Sequence, residues 1–339
     1  MKTPFTHHII DDKLFVHIIV HLNRINSHNK FSLPKNKPSF NPYYTRVLFS
    51  TPKIVYRENL KYGLMAVINE CKRRPPMSNQ LLKGKRGVVL GVANNMSLAW
   101  ACAQACIEQG ATVAFNFLGD AQEKRVRELI KNHPDALLHP CNVSNDSEIQ
   151  AFFDFVQSKW GGKIDFIIHS IAYTDKENLK DKFMTVSRES FASTLDASAY
   201  SLVAVAKVAT PMLSNNASII TMSYYGAEKV VPRYNVMGVA KAALESSAKY
   251  LAHDLGALGI RVNVISAGPI RTLSSSAIPG IREMLDNSQK HSPLRRNITG
   301  EDVARSAIYL LSDLSSGVTG EVLHVDCGYN TLGMFQAVE

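Results

Sequence analysis

From residue 87 onward the chain repeats one pattern: a short apolar run, a stretch with helical spacing of its apolar residues, then another apolar run. The runs at 87–91, 111–116, 136–143, 164–170, 217–222, 261–265 and 321–326 read as strands. Between them, helical patterns run from a Ser97 cap to a Gly110 stop, then over 122–131, 146–160, 190–209, from Pro232 to about 258, and over 301–311. Continuously apolar strands are buried on both faces, so they belong in a parallel sheet with helices above and below. The pattern predicts an α/β fold: a single Rossmann-like, doubly wound domain with a seven-stranded parallel sheet and helices on both faces.

The first strand–helix–strand unit is the nucleotide-binding half of such a sheet. Its helix N-terminus offers free N–H groups to a pyrophosphate. The usual GxGxxG is absent: Gly91 is the only glycine before the helix, and Ser97 and Ala99 stand where small residues let the backbone approach phosphate. A lone glycine in a βα turn leaves open a plain structural turn.

Charge divides the chain. Residues 1–76 carry 13 Lys and Arg against 4 Asp and Glu, whereas the remainder carries 25 of each, so the whole net charge of +9 lies in the first 76 residues. It therefore says nothing of nucleic-acid binding by the folded body. Pro34, Pro38, Pro42 and Pro52 break this basic stretch, and no sustained period follows about residue 20. We expect an N-terminal extension over 1–76, either a mis-assigned start with Met77 as the true first residue, a leader or a disordered binding tail, and a Rossmann-fold domain over 77–339. The five cysteines show neither CxxC pairs nor metal-ligand spacing, which favours reduced thiols in a reducing compartment. No run of about 18 uncharged apolar residues marks a membrane span.

The chemistry concentrates in Ser223-Tyr-Tyr-Gly-Ala-Glu-Lys-Val-Val-Pro-Arg-Tyr-Asn-Val-Met-Gly-Val-Ala-Lys241. With Tyr234 and Lys241 both placed on one helix, seven steps of about 100° bring them to the same face. The ammonium can then hold a cofactor group while the phenol meets a substrate. The competing reading is a tyrosine at a core edge and a solvated lysine.

Over residues 81–333 the chain resembles the short-chain dehydrogenase/reductase family, and within it the enoyl-acyl-carrier-protein reductases. The stretches that carry the resemblance are Gly91-Val-Ala-Asn-Asn-Met-Ser-Leu-Ala-Trp100, His169-Ser-Ile-Ala172, Tyr234-Asn-Val-Met-Gly-Val-Ala-Lys241 and Ser266-Ala-Gly-Pro-Ile-Arg-Thr272. Ketone-reducing members place Tyr and Lys four apart, with Ser thirteen before the Tyr. Here position 238 is Gly, the Lys stands at 241, position 221 is Thr, and a further tyrosine, Tyr224, lies ten before Tyr234.

The resemblance implies NADH-dependent reduction of a trans-2-enoyl thioester on acyl carrier protein, the last step of fatty-acid elongation, with NADPH as an alternative cofactor. It implies Tyr234, Lys241 and Tyr224 as catalytic residues. It places Gly91, Ser97, Ala99, Asn142, Val143, Ser170, Ile171, Lys241, Ile270 and Thr272 around the cofactor. Ala172, Tyr224, Tyr234, Met237, Ile278 and Ile281 fall at the substrate. Residues 273–297 read as a substrate lid, with Leu285 in its apolar wall and Arg271, Arg282, Lys290, Arg295 and Arg296 as a dock for the acidic carrier. The family further implies a homotetramer in the cytoplasm, or a plastid-type organelle if residues 1–76 are a transit peptide. No nucleic-acid, membrane or metal partner is expected. A carbonyl or 3-ketoacyl reductase of the same fold and a non-catalytic dinucleotide-binding protein are the alternatives.

Overall fold

The computed structural model describes residues 80–180, 182–273 and 275–334. Expectations for residues 1–76 and Met77 lie outside these. Seven strands form one sheet: β1 (Arg86–Leu90), β2 (Thr112–Phe117), β3 (Leu137–Pro140), β4 (Ile164–His169), β5 (Leu213–Tyr224), β6 (Arg261–Ala267) and β7 (Val322–Val325). Their spatial order is β3-β2-β1-β4-β5-β6-β7 and every pairing is parallel. The expected doubly wound, seven-stranded sheet is therefore present.

The helices are α1 (Leu98–Glu108), α2 (Asp120–Ile130), α3 (Asp146–Trp160), α4 (Arg188–Leu195), α5 (Ser201–Ala209), α6 (Val236–Gly256), α7 (Ile281–His291) and α8 (Gly300–Leu311). Alternate strand residues feed two cores. Val89, Val113, Phe115 and Ile168 pack with α1, α2 and α8, while Val88, Leu90, Ala114 and Ile167 pack with α3, α5 and α6. This period-2 division follows from the pleat.

Three expectations change. The third strand stops at Pro140, three residues early. The single helix expected over 190–209 is two helices joined by a wide π turn, Asp196–Tyr200. The helix bearing Lys241 begins only at Val236, because Arg233 and Asn235 have φ of 68° and 46° and break the helical path on either side of Tyr234.

The strand order reverses between β1 and β4, and the carboxyl ends of the strands meet in a crevice there.

Candidate active site

A cavity of about 920 Å³ occupies that crevice. Its cofactor-side wall is built from close backbone approach. Gly91, at φ 97°, leaves β1 so tightly that a Cβ there would lie 2.1 Å from the Ser170 carbonyl oxygen. The Gly91 N–H donates to Asn116 Oδ1 at 2.9 Å, and Asn116 Nδ2 donates to the Cys141 carbonyl at 3.0 Å. One buried amide thus ties together the ends of β1, β2 and β3. Ser97 caps α1, its Oγ accepting the Trp100 N–H at 3.4 Å. Gln122 joins the two neighbouring turns, donating from Nε2 to the Val92 carbonyl at 2.7 Å and accepting the Leu118 N–H at 2.9 Å. Asn142 forms an Asx turn, its Oδ1 accepting the Ser144 N–H at 3.1 Å.

The catalytic-side wall is built from β5 and α6. Lys241 is buried, and its ammonium donates to the Met222 carbonyl at 2.7 Å, with the Ile171 carbonyl at 3.5 Å. Burial lowers its pKa to about 8, and the Glu245 carboxylate one turn along the helix partly opposes that shift. Tyr234 is buried and packs edge-on against Tyr224, with ring centroids 4.9 Å apart. Burial raises both phenols, Tyr224 to about 12 and Tyr234 further, so each is a neutral O–H donor near neutral pH.

Gly238 explains the long Tyr–Lys spacing. A Cβ there would lie 2.7 Å from the Gly226 carbonyl oxygen, so no lysine fits four residues after the tyrosine. Gly226 in turn has no room for a Cβ, which would stand 2.4 Å from the Tyr234 ring.

Thr221 occupies the serine position of the ketone reducers, but its hydroxyl faces away from the cavity. It lies 3.0 Å from His169 Nδ1, and His169 Nε2 lies 2.9 Å from Ser201 Oγ. Ser201 gives its own proton to the Ala197 carbonyl. It therefore accepts from Nε2–H, which leaves Nδ1 to accept the Thr221 proton. Burial lowers the His169 pKa to about 3, so the ring is neutral.

Gly91, Ser97, Asn142, Val143, Ser170, Ile171, Lys241, Ile270 and Thr272 line the cavity together with Ala172, Tyr224, Tyr234, Met237, Ile278 and Ile281. Ala99 does not: it is fully buried in the core under α1, because its place in the helix turns it toward the sheet. Asn116 and Gln122 also line the cavity, and the sequence reading gave neither a role. The signal for Asn116 is a polar residue inside the apolar run Val-Ala-Phe-Asn-Phe.

Over the cavity lies α7, which presents Ile281 and Met284, with Ile278 just before it. Leu285 is not among the lining residues. Of the basic residues expected as a dock, Arg296 pairs with Asp302 through both terminal guanidinium nitrogens, at 2.6 and 3.0 Å, and Arg295 donates to the Lys290 carbonyl. Arg271, Arg282 and Lys290 are exposed.

The family described as Enoyl-(Acyl carrier protein) reductase matches residues 91–330. The chain is 53% identical over 254 residues to enoyl-[acyl-carrier-protein] reductase [NADH] 1 of Rhizobium meliloti, covering 75% of this chain and 93% of that protein. It is 48% identical to the corresponding NADH enzyme of a Nostoc species, covering 75% of this chain and 99% of that one. Among solved structures, the enoyl-(acyl-carrier-protein) reductase of Anaplasma phagocytophilum in complex with NAD superposes with a TM-score of 0.72 at 46% identity, covering 77% of this chain and 97% of that one. The Bacillus cereus enzyme with NADP+ and indole naphthyridinone gives 0.73 at 46% identity, covering 75% and 99%.

Proposed function

This chain belongs to the enoyl-(acyl carrier protein) reductase family, and on that premise we infer that it reduces the double bond of a trans-2-enoyl thioester held on acyl carrier protein, with NADH as hydride source. Bound NADH would supply a hydride for the β-carbon; the negative charge left on the thioester oxygen is discharged when the α-carbon takes up a proton from solvent. The neutral Tyr234 O–H is the donor we assign to that oxygen, since a preorganised donor in a water-poor site stabilises the charge as it forms. Lys241 has a third N–H beyond its two carbonyl contacts, and we assign it to the nicotinamide ribose, where its charge also assists proton supply. Tyr224 holds the Tyr234 ring edge-on and walls the acyl thioester.

The crevice fits the cofactor. Gly91 and Ser170 approach backbone to backbone, a contact that any side chain at 91 would break, and both line the cavity. Among the described residues, those lining the cavity at the end of β2 are Asn116, Leu118 and Gln122, none of them a cation to greet a 2′-phosphate, and Arg125 Nε donates to the Ala93 carbonyl at 2.8 Å. This favours NADH over NADPH.

The observation that carries the reading is the burial of Tyr234 and Lys241 in one cavity, with position 238 closed to any side chain. The Thr221 hydroxyl, spent on His169, weighs against the ketone-reducing alternative. The test is spectrophotometric oxidation of NADH and NADPH with an enoyl thioester and with a β-ketoacyl thioester, comparing the full chain with a version starting at Met77. We expect enoyl turnover with NADH by both versions. Turnover of only the ketoacyl substrate would overturn the reading.

The reading extends to assembly and setting. Tyr200, Val239 and Tyr250 stand exposed, which supports a homo-oligomer of the family's tetrameric kind. Among the described residues no helix is long and apolar enough to cross a membrane. Cys102, Cys106, Cys141 and Cys327 are free and buried, which suits the reducing cytoplasm. Arg271, Arg282 and Lys290 are the exposed cations we assign to the acidic carrier.

A further inference from the structure

The turn that carries Tyr234 is held in a conformation its sequence disfavours. The Met237 N–H donates to the Tyr234 carbonyl at 3.1 Å, closing a four-residue turn. Its second residue, Asn235, has φ 46° and ψ −124°. That is the first central position of a type II′ turn, where glycine is favoured because a Cβ is strained. Asn235 also sits at the N-cap of α6, yet its side chain makes no cap hydrogen bond. An asparagine there ordinarily turns its oxygen onto the first helical amides. Instead Asn235 Nδ2 reaches across to the Asn178 carbonyl at 2.8 Å.

Asn178 does not itself line the cavity, but it sits in the 174–179 segment that supplies part of the cavity wall. Its own amide donates to Thr174 Oγ1 at 3.0 Å and to Ser190 Oγ at 2.7 Å, which fixes the segment against α4. Thr174, Lys176 and Leu179 of the same segment line the cavity, and Leu179 packs against Tyr234 and Met237. The strained residue therefore joins the phenol's own turn to the segment whose Leu179 packs against the phenol ring.

We propose that Asn235 is a positioning residue, which latches the Tyr234 turn to the Asn178 carbonyl and so sets the phenol at the thioester oxygen. The strain persists because a relaxed turn would swing Nδ2 off that carbonyl. The proposal rests on the assignment of Tyr234 as the donor.

Asn235→Gly separates strain from hydrogen bond. Glycine accepts the turn freely, so the fold keeps or gains thermal stability, while the latch is lost. We expect kcat with a crotonyl thioester to fall about 10- to 100-fold, the scale of a small misplacement of a reacting group, with the Kd for NADH unchanged. Asn235→Asp, which faces one oxygen with another, should fall at least as far. An Asn235→Gly protein with the wild-type kcat would overturn the proposal. So would one that melts early and binds NADH poorly, since Asn235 would then serve only the fold. Tyr234→Phe is measured alongside. If it turns over normally, the donor assignment fails and the latch falls with it; if it is crippled while Asn235→Gly is not, only the latch fails.

Discussion

The two walls of the cavity are built to opposite specifications. The β5–α6 wall presents polar groups that are themselves wholly or partly buried: the ammonium of Lys241 on backbone carbonyls, and the phenol of Tyr234, buried, edge to face with the half-buried Tyr224. The α7 wall buries only Ser288 of its own helix and offers the cavity little but the apolar bulk of Ile278, Ile281 and Met284. A buried polar group is worth much when placed and costly when displaced. Apolar bulk is worth an amount set by area, whatever its exact pose. Chemistry should therefore fail steeply when the first wall is altered, and affinity should change only gradually when the second is.

The steepest failure should come from Tyr234→Phe, which removes one oxygen and little else. If that oxygen is the donor to the developing anion, kcat drops by roughly 10²–10³ while the Kd for NADH holds. Titration of NADH by fluorescence beside steady-state turnover separates the two, and a normal kcat would erase the contrast between the walls.

Lys241→Met should cost about 10² in kcat/KM through loss of orientation. It also carries a pH signature. The folded pKa of about 8 lies below the ordinary lysine value of 10.5, so the unfolded chain binds this proton more tightly. The resulting penalty on wild-type stability is full below about pH 8 and disappears as pH rises toward 10.5. The methionine variant should accordingly melt higher than wild type at neutral pH, with the gap closing in alkali. In the free wild-type enzyme kcat/KM should decline as pH rises through about 8, since the neutral amine cannot supply the charge.

Gly238→Ala tests whether the first wall tolerates even one methyl. The added Cβ would meet the Gly226 carbonyl oxygen at 2.7 Å, a backbone atom that cannot swing away. We expect a loss of about 1–3 kcal/mol of stability, read from denaturant midpoints, together with reduced kcat as Gly226 shifts the Tyr234 ring. A fully stable variant would mean that the wall is softer than its geometry implies.

The same contrast decides what could be read from the chain alone. The sheet was legible because seven apolar runs need burial on both faces, and period-2 alternation then assigns Val88 and Val89 to opposite cores. Tyr234 and Lys241 were legible as a pair from spacing, although the route to their meeting differs. Tyr234 sits before the helix, in a turn opened by positive φ at Arg233 and Asn235, a feature that no helical wheel contains. The π turn at Asp196–Tyr200 was hidden for a similar reason, since its neighbour Ser201 bonds with His169, 32 residues away in sequence. Asn116 was overlooked because a single amide that ties three strand ends has no periodicity.

The mildest effect should come from the lid. Ile281 and Met284 are only partly buried and line the cavity without a polar contact, so truncating either to Ala removes apolar area alone. About 1 kcal/mol of lost burial corresponds to roughly a five-fold rise in KM. That rise should appear with a long acyl thioester and shrink with a crotonyl one, whose short chain barely reaches the lid, while kcat stays level for both. Reversal of the exposed charge, Arg282→Glu, should raise KM for the carrier-bound substrate and leave KM for a coenzyme A thioester in place, an effect that added salt diminishes. Should either lid variant instead depress kcat as Tyr234→Phe does, α7 would have to be counted with the wall that performs the reaction.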